Sequence, residues 1–180
     1  MMVPESRAIV WTEMDSPVGG IRLAATKKGI CRLDFAKGEE RWLHLERWAK
    51  EWLGRVSMER NDEVLLPVTR QLREYFEGRR RSFDVDLDLF GTSFQKLVWE
   101  QLLTIPYGEL RSYKEVAQRM GAAKAVRAVG GANNKNPVSI LVPCHRVVGS
   151  NGSLVGYGAG LEIKETLLRL EGSLPYRAQA

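Results

Sequence analysis

The hydrophobic period of this chain changes along its length, and that change limits the folds open to it. Residues 7–36 carry three β-rich runs: Ile9-Val10-Trp11, then 21–25 and 30–35, where apolar and polar side chains alternate. Turn-forming stretches at Ser16-Pro17-Val18-Gly19-Gly20 and Lys28-Gly29 separate them, so a small antiparallel sheet is expected. Beyond it the spacing is helical. Residues 39–53 bring Trp42, Leu45, Trp48, Ala49 and Trp52 to one face, and residues 64–77 do the same with Val64, Val68, Leu72 and Tyr75/Phe76. Residues 83–89 alternate strictly and read as one more strand, with Asp84, Asp86 and Asp88 on its solvated face. Strands gathered at one end and helices at the other describe an α+β fold.

A lobe boundary is expected near residues 89–91. That gives an N-terminal α/β lobe over 1–90 and a helical lobe over 91–175. The second lobe opens with a helix capped at Thr92 or Ser93, running through Phe94, Val98, Trp99 and Leu102 to Ile105-Pro106-Tyr107-Gly108. Ser112-Tyr113-Lys114-Glu115 is a capping box and starts a helix ending near Met120. Gly121 breaks it, and a third helix is expected from residues 122–124 to about 133. Two short helices about a glycine turn form a helix-turn-helix. The third helix is poor in the long polar side chains that read base edges in the major groove. Its small residues and Arg127 suit close approach to a minor groove instead.

Charge falls unevenly. Residues 1–90 hold 16 Lys/Arg and 16 Asp/Glu, whereas residues 91–180 hold 11 against 6 and so carry the whole net charge of +5. Within 111–146 seven bases, Arg111, Lys114, Arg119, Lys124, Arg127, Lys135 and Arg146, face one acid, Glu115. That excess fits a phosphate-backbone partner. No run of about 18 apolar residues marks a membrane span, and Met1 to Ser6 contain no apolar signal core. With two cysteines, Cys31 and Cys144, a disulfide framework is not expected and a reducing cytoplasm fits better.

Cys144 is the chemical focus. An apolar run, Ile140-Leu141-Val142, reads as a buried strand leading into a Pro143-Cys144-His145-Arg146 turn. A base and a cation beside a thiol lower its pKa and make it a nucleophile. Cys31, between Ile30 and Arg32 in a strand, reads as a small buried hydrophobe. The second lobe resembles the O6-alkylguanine-DNA alkyltransferases (methylated-DNA–protein-cysteine methyltransferases). The likeness rests on Pro143-Cys144-His145-Arg146-Val147, Asn136-Pro137-Val138, Arg127-Ala128-Val129-Gly130, Ser112-Tyr113 and Gly156-Tyr157.

That resemblance implies a DNA repair protein. It would flip out O6-alkylguanine, with O4-alkylthymine as a second candidate, and move the alkyl group irreversibly to Cys144, once per molecule. In that scheme His145 takes the thiol proton through a water, Glu165 holds the imidazole, Asn136 ties the turn to the reactive loop, and Tyr113 donates a proton to guanine N3. Arg127 fills the space of the extruded base. Tyr157, Gly158 and Ala159 wall the base pocket, the carbonyls of Cys144 and Val147 receive the exocyclic amine, and Arg146 adds to the substrate contacts. The wall has no serine between Tyr157 and Gly160, where some relatives carry a hydroxyl. Some relatives also hold zinc in the first lobe; Cys31, His44 and scattered acids lack the spacing for it, so no metal and no cofactor is expected. Double-stranded DNA through its minor groove and the alkylated base are the expected partners, with no membrane and no obligate protein partner. Two other functions compete for the same residues: a helix-turn-helix regulator with a redox-sensing cysteine, and a cysteine hydrolase. The first would leave the alkyl group on DNA, and the second would turn over.

Overall fold

A computed structural model describes residues 8–36 and 40–174. Met1 to Ser6, where no apolar signal core is expected, and the Trp42 side chain, expected on the apolar helix face, lie outside the described residues. The chain divides into two compact units between Phe90 and Gly91.

In the first unit β1 (Ala8–Met14), β2 (Gly20–Thr26) and β3 (Gly29–Ala36) pair antiparallel. A fourth strand, β4 (Ser57–Arg60), joins β1 in parallel and makes the sheet mixed, in the order β3-β2-β1-β4. Its sequence, Ser-Met-Glu-Arg, has no apolar alternation, because this short edge strand is mostly exposed. α1 (Glu40–Leu53) lays Leu45, Trp48, Ala49 and Leu53 on Ile9, Ala24 and Cys31. Trp52, expected on that face, is partly exposed, and Leu53 takes its place. α2 (Asp62–Phe76) is capped by Asn61 and buries Leu65, Val68, Leu72 and Tyr75, while Val64 in its first turn points to solvent.

Residues 83–89 do not form a regular strand. A single bridge joins Leu87 to Ile30, through Ile30 N–H to Asp86 O (2.8 Å) and Asp88 N–H to Ile30 O (2.9 Å). The segment passes close over Gly29, where a Cβ would come within 2.5 Å of the Asp86 backbone, so glycine there permits the approach. Asp88 is not simply solvated, since Thr26 Oγ1 donates to its carboxylate.

The second unit begins with α3 (Ser93–Leu103), whose cap is Thr92 in a full capping box with Gln95. β5 (Arg111–Ser112) runs straight into α4 (Tyr113–Arg119), where Ser112 and Glu115 complete the expected box. α5 (Val126–Asn134) starts later than the sequence pattern suggests, because residues 122–125 include no side chain that caps it and fold as a turn, Ala125 N–H bonding Ala122 O. Trp99, fully buried on α3, donates its indole N–H to Ala132 O at 2.9 Å and fixes α5 against α3. Val116, Ala117, Val129 and Ala132 fill the space between these helices. α6 (Leu161–Leu170) closes the unit with Ile163, Leu167 and Leu168 inward. No helix among the described residues is long and apolar enough to cross a membrane.

Candidate active site

The stretch expected to be a strand before the cysteine is buried but irregular. Val142 N–H returns to Val138 O at 2.9 Å, and Leu141 N–H reaches Ser139 O at 2.9 Å across Ile140, whose φ is +72°. Asn136 braces this turn on both sides: its amide N–H donates to Val142 O at 2.8 Å and its amide oxygen accepts from Val138 N–H at 3.0 Å. The chain then winds into a single 3-10 turn, Cys144–Arg146, rather than an extended loop, and leaves as β6 (Val147–Val148). β6 pairs with β5 in parallel, Arg111 opposite Val147 and Ser112 opposite Val148, so Tyr113 at the start of α4 is locked beside the turn.

Cys144 is 2% exposed. Burial pushes its thiol pKa up, and hydrogen bonds from the Asn136 and Ser139 side chains and the charge of Lys164 oppose that rise. His145 is fully buried. Its Nε2 lies 2.7 Å from Glu171 Oε1, and its Nδ1 has no protein partner. Burial lowers the imidazole pKa against the pull of Glu171, so the ring is neutral at neutral pH. With a carboxylate on Nε2, that nitrogen carries the proton and Nδ1 presents a lone pair. A neutral imidazole in that tautomer is a base.

The carboxylate on the imidazole is Glu171, not Glu165. Glu165 lies on the outer face of α6 and accepts from Arg169 four residues on. The inward face runs Lys164, Leu167, Leu168 and Glu171, so helical spacing itself separates the two acids. Arg146 is also corrected. It is buried, with Nε and Nη2 each 2.9 Å from Glu171 and Nη1 donating to Ile105 O at 2.6 Å. With these partners the guanidinium braces the carboxylate.

Two further residues escaped the sequence reading. Lys164 is fully buried, its ammonium donating to the carbonyls of Val147 and Val155 and standing 5.8 Å from the Tyr113 ring. Burial brings its pKa down to about 8. Its position in the apolar stripe of α6 was the available signal. Asn133, buried on α5, donates to Cys144 O at 3.4 Å. The Cys144 and Val147 carbonyls, expected to meet a guanine amine, therefore already accept bonds from Asn133 and Lys164 in this state.

Tyr113 donates its hydroxyl to Val155 O (2.9 Å) and Gly156 O (3.0 Å), and burial pushes its pKa up to about 12. Gly156 has φ +64°, and a Cβ there would come within 3.1 Å of that hydroxyl, so only glycine lets the wall close on the phenol. Gly158 packs on Asn134 O, exposed, and Ala159 is half-buried beside it. Tyr157 turns inward, and its hydroxyl is buried with no partner at hydrogen-bond distance. α5 exposes Arg127, Ala128, Gly131, Asn134 and Lys135, a face of small residues edged by bases, while Ala132 faces the core. Of the seven bases in 111–146, Lys114, Arg119, Lys124, Arg127 and Lys135 are exposed; Arg146 is consumed internally and Arg111 pairs with Glu109.

Family models for this arrangement match almost the whole chain: 6-O-methylguanine DNA methyltransferase, DNA binding domain, over residues 93–173, and the ribonuclease-like domain of the same proteins over residues 9–89. The chain belongs to the 6-O-methylguanine DNA methyltransferase family. Among relatives in that family, the methylated-DNA–protein-cysteine methyltransferase of Methanosarcina acetivorans is 48% identical over 159 residues, covering 88% of this chain and 96% of its own. The protein of that name from Mycobacterium leprae is 45% identical over 158 residues, 88% of this chain and 89% of its own. The crystal structure of Mycobacterium tuberculosis OGT in complex with DNA superposes with a TM-score of 0.78 at 43% identity, covering 91% of this chain and 93% of that one. This methyltransferase family thus spans both compact units, not the cysteine-bearing one alone.

Proposed function

We propose that this protein removes alkyl groups from O6 of guanine in duplex DNA and keeps them on Cys144. The observation that carries the reading is the buried Cys144 in a 3-10 turn with His145, whose Nε2 is anchored on the Glu171 carboxylate. Chemically, the thiol proton passes to His145 Nδ1 through a water, and Glu171 stabilises the imidazolium that forms. The thiolate attacks the alkyl carbon, an S–C bond forms, and the C–O6 bond breaks with its electron pair on the base. Tyr113, whose hydroxyl lies at the wall of the slot, gives the proton that the purine takes at N3. Tyr157, Gly158 and Ala159 line the slot. The thioether has no route back to a thiol, so each molecule acts once.

Residues 91–175 form the working part in this reading, and residues 1–90 a structural lobe. The exposed bases meet phosphates, the small-residue face of α5 enters the minor groove, and Arg127 takes the place of the extruded base, offsetting an unstacking cost of a few kcal/mol. A reducing cytoplasm suits a protein whose working group is a thiol. The experiment is incubation with duplex DNA carrying labelled methyl on guanine O6, followed by mass analysis of the Cys144 peptide. Stoichiometric label on that peptide is expected, with none on Cys144→Ala, which should still bind DNA. Unchanged protein mass leaves only a DNA-binding regulator, and repeated release of product makes it a hydrolase.

A further inference from the structure

The segment 105–108, which in sequence only ends a helix, folds against the far end of α6. Glu109 N–H returns to Pro106 O at 3.1 Å, and Gly108 takes φ +81° at the third position of that turn, a conformation glycine adopts without strain. The turn sets Tyr107 on the last residues of α6. A helix leaves its final carbonyls without partners of its own. Here Ser173 N–H donates to Leu168 O at 2.9 Å and Gly172 N–H to Arg169 O at 3.1 Å, with Gly172 at φ +72°. Leu170 O falls outside that pattern, and the Tyr107 hydroxyl donates to it at 3.2 Å. The next residue is Glu171, the C-cap of α6. A carboxylate is poorly placed there, since a helix presents its negative pole at that end, and helix ends fray. Its charge is met by the Arg146 guanidinium, which also donates to Ile105 O. The carbon of that guanidinium lies 5.8 Å from the centre of the Tyr107 ring, within the range of about 6 Å for a cation over an aromatic face. One tyrosine therefore touches both supports of the carboxylate: the helix end that carries it and the cation that balances it.

We propose that Tyr107 is a positioning residue of the proton relay: its hydroxyl holds the last turn of α6 and its ring backs the Arg146 guanidinium, so that Glu171 meets His145 Nε2 in one posture. Tyr107 acts through the carboxylate. A single oxygen, Glu171 Oε1, accepts from both His145 Nε2 at 2.7 Å and Arg146 Nη2 at 2.9 Å. A shift of the helix end therefore disturbs the imidazole and its counter-cation together. The carboxylate on Nε2 also fixes the tautomer that leaves Nδ1 a lone pair for the thiol proton, so a displaced Glu171 costs the base both its orientation and its counter-charge. Hydroxyl and ring contribute separately: phenylalanine at this position loses only the bond to Leu170 O, whereas leucine loses the aromatic face as well.

The role rests on Cys144 being the alkyl acceptor, but its first readout needs no DNA. The chain has two histidines, His145 in the site and His44, exposed on α1. Proton NMR of the imidazole N–H groups separates them, because the buried His145 Nε2–H on a carboxylate gives a downfield signal protected from water. Tyr107→Leu should broaden or erase that signal and slow single-turnover transfer from methylated duplex about tenfold, with DNA affinity unchanged. Tyr107→Phe, which keeps the ring, should restore the signal with faster exchange into water and bring transfer back to within about threefold of wild type, the worth of one ordinary hydrogen bond. A His145 signal unmoved by Tyr107→Leu, a transfer rate equal to wild type, or a loss of DNA affinity as large as the loss of rate overturns the role. Should Tyr107→Leu fail to fold, faster exchange in Tyr107→Phe is the expected result, and unchanged exchange overturns the role. If the wild-type protein takes no methyl while the signal still responds to these substitutions, the repair reading falls and the hold on Glu171 stands.

Discussion

Exchanging Glu171 for glutamine keeps the side chain's volume and removes its charge. The carboxylate accepts from His145 Nε2 at 2.7 Å and from Arg146 Nε and Nη2 at 2.9 Å each, inside the protein. Burial alone would push its pKa up; the bonds from His145 and Arg146 overcome that and hold it at about 2. The distance from the ordinary 4.5 to about 2 corresponds to about 3 kcal/mol of folding stability. Because the value is depressed, the unfolded chain takes up the proton first. The contribution is therefore complete above about pH 5 and is lost as pH falls toward 2. In Glu171→Gln the buried Arg146 guanidinium loses its counter-charge, a change that costs about 3–5 kcal/mol when one member of such a pair is removed. Urea denaturation at neutral pH should show a loss near the lower end of that range, and the thermal midpoint should drop by roughly 10 °C. The same titration run toward acid should be flatter in the variant. Single-turnover transfer should slow about a hundredfold, since the amide can hold the imidazole but cannot balance its cation. Glu165→Gln is the contrast: an exposed pair with Arg169 is worth at most about 0.5 kcal/mol, and transfer should be unchanged. If Glu165→Gln slows transfer, or if Glu171→Gln costs less than about 1 kcal/mol, the assignment of the buried carboxylate is wrong.

Arg127→Ala should slow repair in duplex DNA at least about tenfold while leaving reaction with the free base O6-benzylguanine within about twofold, because only the duplex needs its gap filled; equal slowing in single-turnover assays would remove the wedge role. Lys164, brought by burial to about 8 from 10.5, keeps its proton less well when folded, so stability should rise with pH between about 8 and 10. Denaturation of Lys164→Met across that range should lack the rise, and identical slopes in both chains would contradict the buried ammonium.

What the sequence made legible was mostly short-range. The Ser112/Glu115 box fixes one helix start within four residues and forms as the pattern requires, and the cap expected at Thr92 or Ser93 falls on Thr92. The β-rich runs of β1 to β3 were equally plain, and Cys31 sits in the core of the first unit. Long-range pairing was not legible. β4 joins β1 through backbone bonds that its side chains do not advertise, and residues 83–89 alternate because they lie across an edge, not because they build a ladder. Around Cys144, neighbours in sequence were visible and neighbours in space were not. Arg146, expected beside the thiol and among the substrate contacts, has its guanidinium bonded to Glu171, and an apolar triplet at 140–142 concealed a left-handed residue. The choice between Glu165 and Glu171 was recoverable in principle, since extending the stripe Lys164, Leu167, Leu168 by one step ends on 171.

Two anchors of the reactive turn hang from one rod. Lys164 holds the Val147 and Val155 carbonyls, and Glu171, at the far end of α6, holds the imidazole. They stand seven residues apart, close to two helical turns, so one face serves both. Adding a single residue between them would swing one anchor about 100° away from the other while altering no side chain that meets the sulfur. Such an insertion should silence the protein as thoroughly as losing the nucleophile, which makes the count of residues along α6 an inherited dimension of the chemistry.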